Sequence, residues 1–200
     1  MFRTFISLWF LLLIGTTPQA FSAQTNAIEE LDPFSPDIEE QLLELDQIYE
    51  EETGKSPFIG EDEQASGCYR SSCKIWVVIN KTEQDLTLYI DGYYSGRWDV
   101  STGLRSHETP DFDRHPNGRI YDRYTSTKYP NGDYRGLGNM PYAIFIQGGF
   151  AMHGTPEASW WRLGTRASHG CIRMHPDNAQ RVNLLVRKYG IYRTWVTVRD

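Results

Sequence analysis

The segment from Lys74 to Gly103 places the tightest constraint on the fold, because it consists of short apolar runs joined by turns. The runs "KIWVVINK" and "DLTLYI" flank a polar turn, and Asp91-Gly92 is a strong tight-turn signal before "YYSGRWDVSTG". The later runs "MPYAIFIQ", "FAMHG" and "TWVTV" have the same character, and a helix is expected at 177–189. This spacing predicts a mainly β sandwich or barrel with one or two helices.

Charge divides the chain into an acidic arm and a basic domain. Residues 24–63 contain 14 acidic residues and one Lys, whereas residues 64–200 contain 12 acidic and 18 basic residues. A basic domain favours anionic partners. Because the apolar N-terminal segment, residues 1–23, predicts export from the cytoplasm, a carboxylate-rich polymer outside the cytoplasm is a better candidate partner than nucleic acid.

The acidic arm contains a predicted helix at about 36–53, with Ser35 as its N-cap and Gly54 at its end. Its apolar residues share one face, so the helix is expected to pack on another element. They are Ile38, Leu42, Leu45 and Tyr49. We expect the arm, residues 24–67 including a linker, to dock on the basic domain at 68–200 and to cover its cleft.

Residues 1–23 have the pattern of a secretory signal peptide, with an apolar run after Arg3 and small residues behind it. The pattern predicts a periplasmic or secreted protein with no transmembrane segment after cleavage, and an uncleaved anchor is the alternative.

In an oxidising compartment, three cysteines imply one disulfide-bonded pair and one unpaired cysteine. Cys68 and Cys73 can form a short-loop disulfide, which leaves Cys171 either as an inert buried thiol or as a nucleophile.

Two histidines are candidates to serve Cys171. His169 precedes it by two positions, where strand geometry separates the Cα atoms by about 6–7 Å and gives no good thiol–imidazole hydrogen bond. His153 ends a separate predicted strand, and facing residues on neighbouring strands bring their Cβ atoms within about 5 Å. His153 is therefore the predicted general base, and His169 a supporting residue.

This set of residues suits nucleophilic catalysis. An imidazole can take the thiol proton and later return it to a leaving amine. The Gly154 carbonyl would orient His153, Gly170 would let a substrate approach the backbone, and amides near Gly170 and Cys171 would face an oxyanion. A zinc site is the metal alternative, but its spacing matches no common pattern, so no metal is assigned. Its ligands would be His153, His169, Cys171 and His175.

The motifs "MHG" at 152–154 and "SHGCIRM" at 168–174 resemble the signature of the L,D-transpeptidase (YkuD-type) family. The "VSTG" at 100–103 and "MPY" at 140–142 are also similar to that domain, and the likeness covers residues 74–200. It implies an L,D-transpeptidase-like β-rich domain that acts on peptidoglycan stem peptides without a cofactor. Cys171 would attack the meso-diaminopimelate carbonyl of a tetrapeptide stem, release D-Ala and pass the acyl group to an amine or to water.

The resemblance also implies roles for other residues. His169 would supply support or oxyanion stabilisation, and Arg173 would pair with a substrate carboxylate. The suggested oxyanion and substrate-binding residues are Gly154, Ser168, Gly170, Arg173 and Tyr142. The chain departs from the family at Thr109-Pro110, which "DFDRHP" separates from Asn117-Gly118, where the family has a compact Thr-Pro-x-Gly.

Several alternatives share the predicted fold. They are a carboxypeptidase or amidase that uses water, an enzyme that attaches an outer-membrane protein to the wall, and a non-catalytic wall-binding protein. A papain-like protease is disfavoured, since that family places its Cys before its His.

The stretch 104–139 is interpreted either as a lid or as a solvated basic loop. The lid would use Tyr121, Tyr124, Tyr129 and Tyr134 for stacking, and Arg105, Arg119, Arg123 and Arg135 for carboxylates. The oligomeric state is not assigned.

Overall fold

The structure, a computed structural model, describes residues 33–59, 67–125 and 132–200. The predicted signal peptide, the first part of the acidic arm, most of its linker and Tyr129 lie outside the described residues. Neither α-helix in the described part of the chain has the length and apolar character needed to cross a membrane.

Eight strands form one sheet in the order β4-β8-β1-β2-β3-β7-β6-β5. Neighbours are antiparallel except for two parallel pairs, β1 with β8 and β6 with β7. The strands are β1 (Ile75–Asn80), β2 (Asp85–Ile90), β3 (Tyr93–Ser101), β4 (Phe112–Arg114), β5 (Ile144–Gln147), β6 (Phe150–Gly154), β7 (Ile172–Met174) and β8 (Thr194–Arg199).

The sheet nearly closes on itself, because the chain that follows β4 at one edge reaches β5 at the other. The Asn117 N–H donates to the Phe145 carbonyl, and the Phe145 N–H donates to the Arg119 carbonyl, both at 3.0 Å. Closure of this kind removes unpaired strand edges. The predicted mainly β fold with few helices is therefore confirmed, as a near-closed barrel rather than a sandwich.

Alternation in the sequence explains which side of the sheet faces the core. In β1, Ile75, Val77 and Ile79 are fully buried, and the residues between them are partly exposed. The helix α2 (Pro176–Tyr189) adds Val182 and Val186 to the same core. The predicted C-terminal helix begins with a cap, since the His175 Nδ1 atom accepts from the Asp177 N–H at 3.3 Å.

The helix of the arm, α1 (Ile38–Thr53), packs on the outer face of the barrel. Leu42 and Tyr49 are buried there in a cluster with Tyr121, Tyr124, Met140, Ala143, Phe145 and Ala151. Charge pairs support this contact: Asp46 accepts from the buried Arg119 at 2.9 Å and also from the hydroxyl of Tyr121. The acidic arm and the basic domain are thus joined by a second hydrophobic cluster and by buried charge pairing.

The lid interpretation of 104–139 is wrong for its tyrosines inside the described residues. Tyr121, Tyr124 and Tyr134 are at most 8% exposed, and the first two belong to the cluster beneath α1. Of the arginines, Arg119 is buried beside Asp46, and Arg123 pairs with Glu52 of α1. Apart from Tyr134, these side chains hold the arm to the barrel, a role that sequence could not separate from substrate contact.

Cys68 and Cys73 form a disulfide, with their Cα atoms 4.9 Å apart. The bridge closes the short turn that leads into β1, and Cys73 is buried. Cys171 is the free thiol.

We expect Asp46→Asn to lower the free energy of unfolding by about 3 kcal/mol, because it leaves the buried guanidinium of Arg119 facing an amide instead of a carboxylate. Chemical denaturation measures this change. Glu44→Gln, on the exposed side of the same helix, is the matched control and should change stability by less than about 0.5 kcal/mol. Equal effects of the two substitutions would contradict a stabilising role for the buried pair.

Candidate active site

A cavity of about 290 Å³ lies where β6 ends and β7 begins. Its walls come from these strand ends, the loop before β7, the 3-10 helix Glu157–Arg162 and Pro33 of the arm. Among the described residues, no Asp or Glu lines it. The ionisable lining residues are His153, His169, Cys171, Arg162 and Arg173. The cavity is therefore concave and electropositive, which suits an anionic ligand.

His153 lies near the end of β6 and is 4% exposed. Its Nδ1 atom is 2.7 Å from the carbonyl oxygen of Gly154. Because a carbonyl can only accept, Nδ1 carries the proton and Nε2 of the neutral ring has the free lone pair. Burial, together with the positive charge of Arg173, lowers the pKa of His153 from 6.5 to about 3, although the bond to Gly154 opposes this shift. The ring is thus a neutral acceptor at neutral pH.

Cys171 is half-buried immediately before β7, and its Sγ lies 3.5 Å from the Gly149 carbonyl oxygen. Burial raises the pKa of the Cys171 thiol above its ordinary value, while a backbone hydrogen bond from Ala151 and the charge of Arg173 oppose this effect. With a raised thiol pKa and a lowered imidazole pKa, the resting pair is a neutral thiol and a neutral imidazole. A base is then needed to generate the thiolate.

Parallel pairing of β6 and β7 brings the two groups to one face, in a register that differs from the expected one. His153 is opposite Arg173, not opposite Cys171. Because alternate residues of a strand share a face, Cys171, two positions before Arg173, points to the same side as Arg173 and His153. Cys171 and His153 are therefore offset diagonally across the two strands, and Arg173 is the direct neighbour of His153 in the ladder.

The loop Ser168–Cys171 is fixed by hydrogen bonds from its own first residue. The Ser168 hydroxyl accepts from the Gly170 N–H at 3.2 Å and donates to the Cys171 carbonyl. Gly170 has φ +118°, a conformation that L side chains rarely adopt. Because its N–H is engaged by Ser168, the Cys171 N–H is the better oxyanion-donor candidate of the two amides.

The remaining predicted residues have varied positions. His169 lines the cavity, with its ring centroid 5.6 Å from that of His107. Arg173 lines it too and donates to the Ala167 carbonyl at 3.1 Å. Gly154 orients His153 through its carbonyl. Tyr142 does not line the cavity, because its side chain packs against the barrel core instead.

Sequence reasoning missed Arg162, Asn139 and Thr155, all of which line the cavity. Arg162 belongs to the 3-10 helix of the "SWWR" segment, and its guanidinium lies 4.8 Å from the ring centroid of the exposed Trp161. An arginine between the His and Cys motifs was a usable signal, although only the fold shows that this helix turns toward the cavity.

The arm also reaches this site at Pro33 and Phe34. The Phe34 ring is edge-on to Phe150, with centroids 5.2 Å apart. A Cβ atom at Gly149 would lie 2.7 Å from the Pro33 Cα, and one at Gly170 would lie 3.2 Å from Pro33 and from Phe34. These two glycines leave the space that the arm occupies beside Cys171.

The zinc alternative receives no support from the described ranges, where no three His, Cys, Asp or Glu side chains are grouped so as to hold a metal ion. His175, one of its proposed ligands, caps α2 and packs against Trp160 with ring centroids 4.3 Å apart and the ring planes tilted by 47°.

We predict that His153 makes the protein acid-labile between pH 6.5 and about 3, since its pKa is 6.5 unfolded and about 3 folded. In this window the unfolded chain binds a proton that the folded chain does not, so stability falls as the pH falls, by up to about 1.4 kcal/mol per pH unit. Denaturation at pH 6.5 and pH 4.5 measures the slope. His153→Gln should reduce it, and an unchanged slope would contradict the assignment.

Comparisons with known proteins identify the family of this chain. The family model of the L,D-transpeptidase catalytic domain (YkuD) matches residues 74–197, more than half of the chain. No curated protein sequence matches the chain significantly.

Solved structures show the same fold. An L,D-transpeptidase from Mycobacterium tuberculosis is 21% identical, with 64% of this chain and 58% of that chain covered and a TM-score of 0.53. L,D-transpeptidase 3 from Mycobacterium tuberculosis is also 21% identical, with 64% and 62% covered and a TM-score of 0.50. The match spans less than two thirds of the length of these structures. With its cysteine and histidine motifs in one cavity and its family match over the barrel, the chain belongs to the L,D-transpeptidase catalytic domain family.

Proposed function

We propose that this protein is a peptidoglycan L,D-transpeptidase, which forms a thioester between Cys171 and a tetrapeptide stem and transfers it to the amine of a second stem. The observation that carries the proposal is the shared cavity of Cys171 and His153, in which the Gly154 carbonyl fixes the imidazole tautomer. The family match supports the reaction class.

The charge of the cavity supports a stem peptide as the ligand. A tetrapeptide stem has several carboxylates, and Arg162 and Arg173 supply cationic groups to the cavity wall. Guanidinium groups bind carboxylates through paired, charge-assisted hydrogen bonds. Within the described residues the arm adds no carboxylate to the cavity wall, since no Asp or Glu of that part of the chain lines it.

Acylation begins from the neutral pair. The Nε2 atom of His153 takes the Cys171 proton while Sγ attacks the diaminopimelate carbonyl, and the negative charge moves to the carbonyl oxygen. The N–H of Cys171 is the proposed donor to that oxygen. Collapse of the intermediate breaks the C–N bond, and the imidazolium gives its proton to the amine of D-Ala, which leaves a thioester and a neutral imidazole.

Transfer repeats these steps in reverse. The acceptor amine attacks the thioester carbonyl while Nε2 of His153 takes its proton, and collapse breaks the C–S bond. The imidazolium returns the proton to Sγ, so an amide forms and the resting thiol is restored. His169, which lines the same cavity, is proposed to support the loop or the oxyanion. A periplasmic or secreted location is part of the proposal, and the Cys68–Cys73 disulfide supports it.

The first test uses purified disaccharide-tetrapeptide, with products followed by mass spectrometry. We expect a dimer whose mass equals that of two substrates minus one D-Ala, and at least about 10³-fold less of it with Cys171→Ala. Tripeptide without dimer would identify a carboxypeptidase. Failure to form any Cys171-dependent product would contradict catalysis on this substrate and favour a wall-binding protein.

We also expect Arg162→Gln to raise KM for the tetrapeptide about three- to tenfold, with a smaller effect on kcat, because it removes a charge-assisted bond at an exposed rim. Steady-state kinetics of D-Ala release measures both constants. Arg193→Gln, an exposed residue that does not line the cavity, is the control for the lost charge. The assignment would be contradicted by equal changes in the two variants.

A further inference from the structure

The structure points to Thr109 as a positioning residue for the nucleophile. We propose that its buried hydroxyl orients the peptide plane between Gly170 and Cys171, and thereby aims the Cys171 N–H and Cβ for acylation. The inference rests on the proposed function only in taking Cys171 as the nucleophile.

Thr109 is fully buried and lies 61 residues before Gly170 in sequence. Its hydroxyl donates to the Gly170 carbonyl at 2.6 Å and accepts from the Gly103 N–H at 2.9 Å. A threonine hydroxyl has a single proton to donate, so the accepted bond from Gly103 fixes which partner receives that proton. The hydroxyl therefore connects the chain just after β3 to the loop that carries Cys171, through one accepted and one donated hydrogen bond.

The main chain of Thr109 is also anchored. Its carbonyl accepts from Nζ of Lys81 at 3.3 Å, and this buried ammonium pairs with Asp111 at 2.6 Å. The Thr109 hydroxyl thus belongs to a segment with little freedom to move. A rigid support is what a residue needs in order to orient another group.

The consequence for Cys171 follows from peptide geometry. A trans peptide unit is planar, with its C=O and N–H pointing in opposite directions. When Thr109 fixes the direction of the Gly170 carbonyl, it also fixes the direction of the Cys171 N–H. This N–H is the proposed oxyanion donor, so Thr109 acts on the transition state without touching substrate.

Ser168 fixes the other side of the same residue. Its hydroxyl donates to the carbonyl of Cys171, while that of Thr109 donates to the carbonyl of Gly170. With both flanking peptide planes held, the φ and ψ angles of Cys171 are determined, and so is the direction of its Cα–Cβ bond. The hydroxyls of Thr109 and Ser168 therefore together set the direction in which the Cys171 side chain leaves the backbone.

The experiment compares two reagents that react with Cys171, only one of which passes through an oxyanion. p-Nitrophenyl acetate acylates Cys171 through an oxyanion: a thioacetate forms and p-nitrophenolate leaves. Iodoacetamide alkylates the thiolate by displacing iodide, and no oxyanion develops. Rates are measured at one pH, with Cys171→Ala subtracted as background. Neither reagent contains a stem peptide, so the result is independent of whether the proposed substrate is correct.

For Thr109→Val, which keeps the shape and removes the hydroxyl, we expect acylation to slow at least about tenfold and alkylation to change by less than about threefold. Thr109→Ser, which retains both hydrogen bonds, should restore acylation to within about threefold of the wild-type rate. Thr197→Val is the matched control, since the Thr197 hydroxyl is also buried and makes two hydrogen bonds, with Asp113 and Trp76. Thr197→Val should leave the rates of acylation and alkylation within about threefold of the wild-type rates.

Equal slowing of both reactions in Thr109→Val, or no slowing of acylation, would overturn the proposal. The same holds if Thr197→Val slows acylation as much as Thr109→Val does, because the loss would then reflect general destabilisation. Circular dichroism checks the fold of each variant. If Thr109→Val does not fold, Thr109→Ala replaces it, and the ratio of acylation to alkylation decides in the same way. A lowered ratio in Thr109→Ser would also count against the proposal.

Discussion

The parallel pairing of β6 with β7 is the interaction on which the site depends. Two parallel neighbours cannot be joined by a tight turn, so residues 155–171 must cross back before β7 can begin. That crossing contains the 3-10 helix with Arg162 and ends in the loop of Cys171. One pairing therefore brings together His153 from β6, Cys171 from the start of β7, and the cationic wall from the connection between them.

Charge has two separate functions in this molecule. On the side of α1, carboxylates and guanidinium groups pair with each other, as Asp46 and Arg119 do, and their effect is to join two parts of the chain. In the cavity, Arg162 and Arg173 face space that no Asp or Glu of the described residues lines. The negative net charge of the chain thus conceals a cationic cleft, because the acidic residues are concentrated on the arm.

The parts that sequence could predict are those with local signals. The alternation of β1 and the turn at Asp91-Gly92 indicate a barrel-like fold, and the motifs around His153 and Cys171 indicate the chemistry. The register of β6 and β7 could not be predicted, because it depends on tertiary pairing. No local pattern in the sequence indicates that Arg173 lies opposite His153. Tyr121 and Tyr124 were misinterpreted for a related reason. An aromatic side chain in a polar loop looks available for binding until the helix that buries it is known.

The contact of Pro33 and Phe34 with Gly149 and Gly170 makes the arm and the nucleophile loop share one surface. A larger residue at either glycine would push the arm outward, and a displaced arm would remove one wall of the cavity. For protein production, a chain that begins before Pro33 keeps this wall of the cavity, whereas a chain that begins at the first strand of the barrel lacks it.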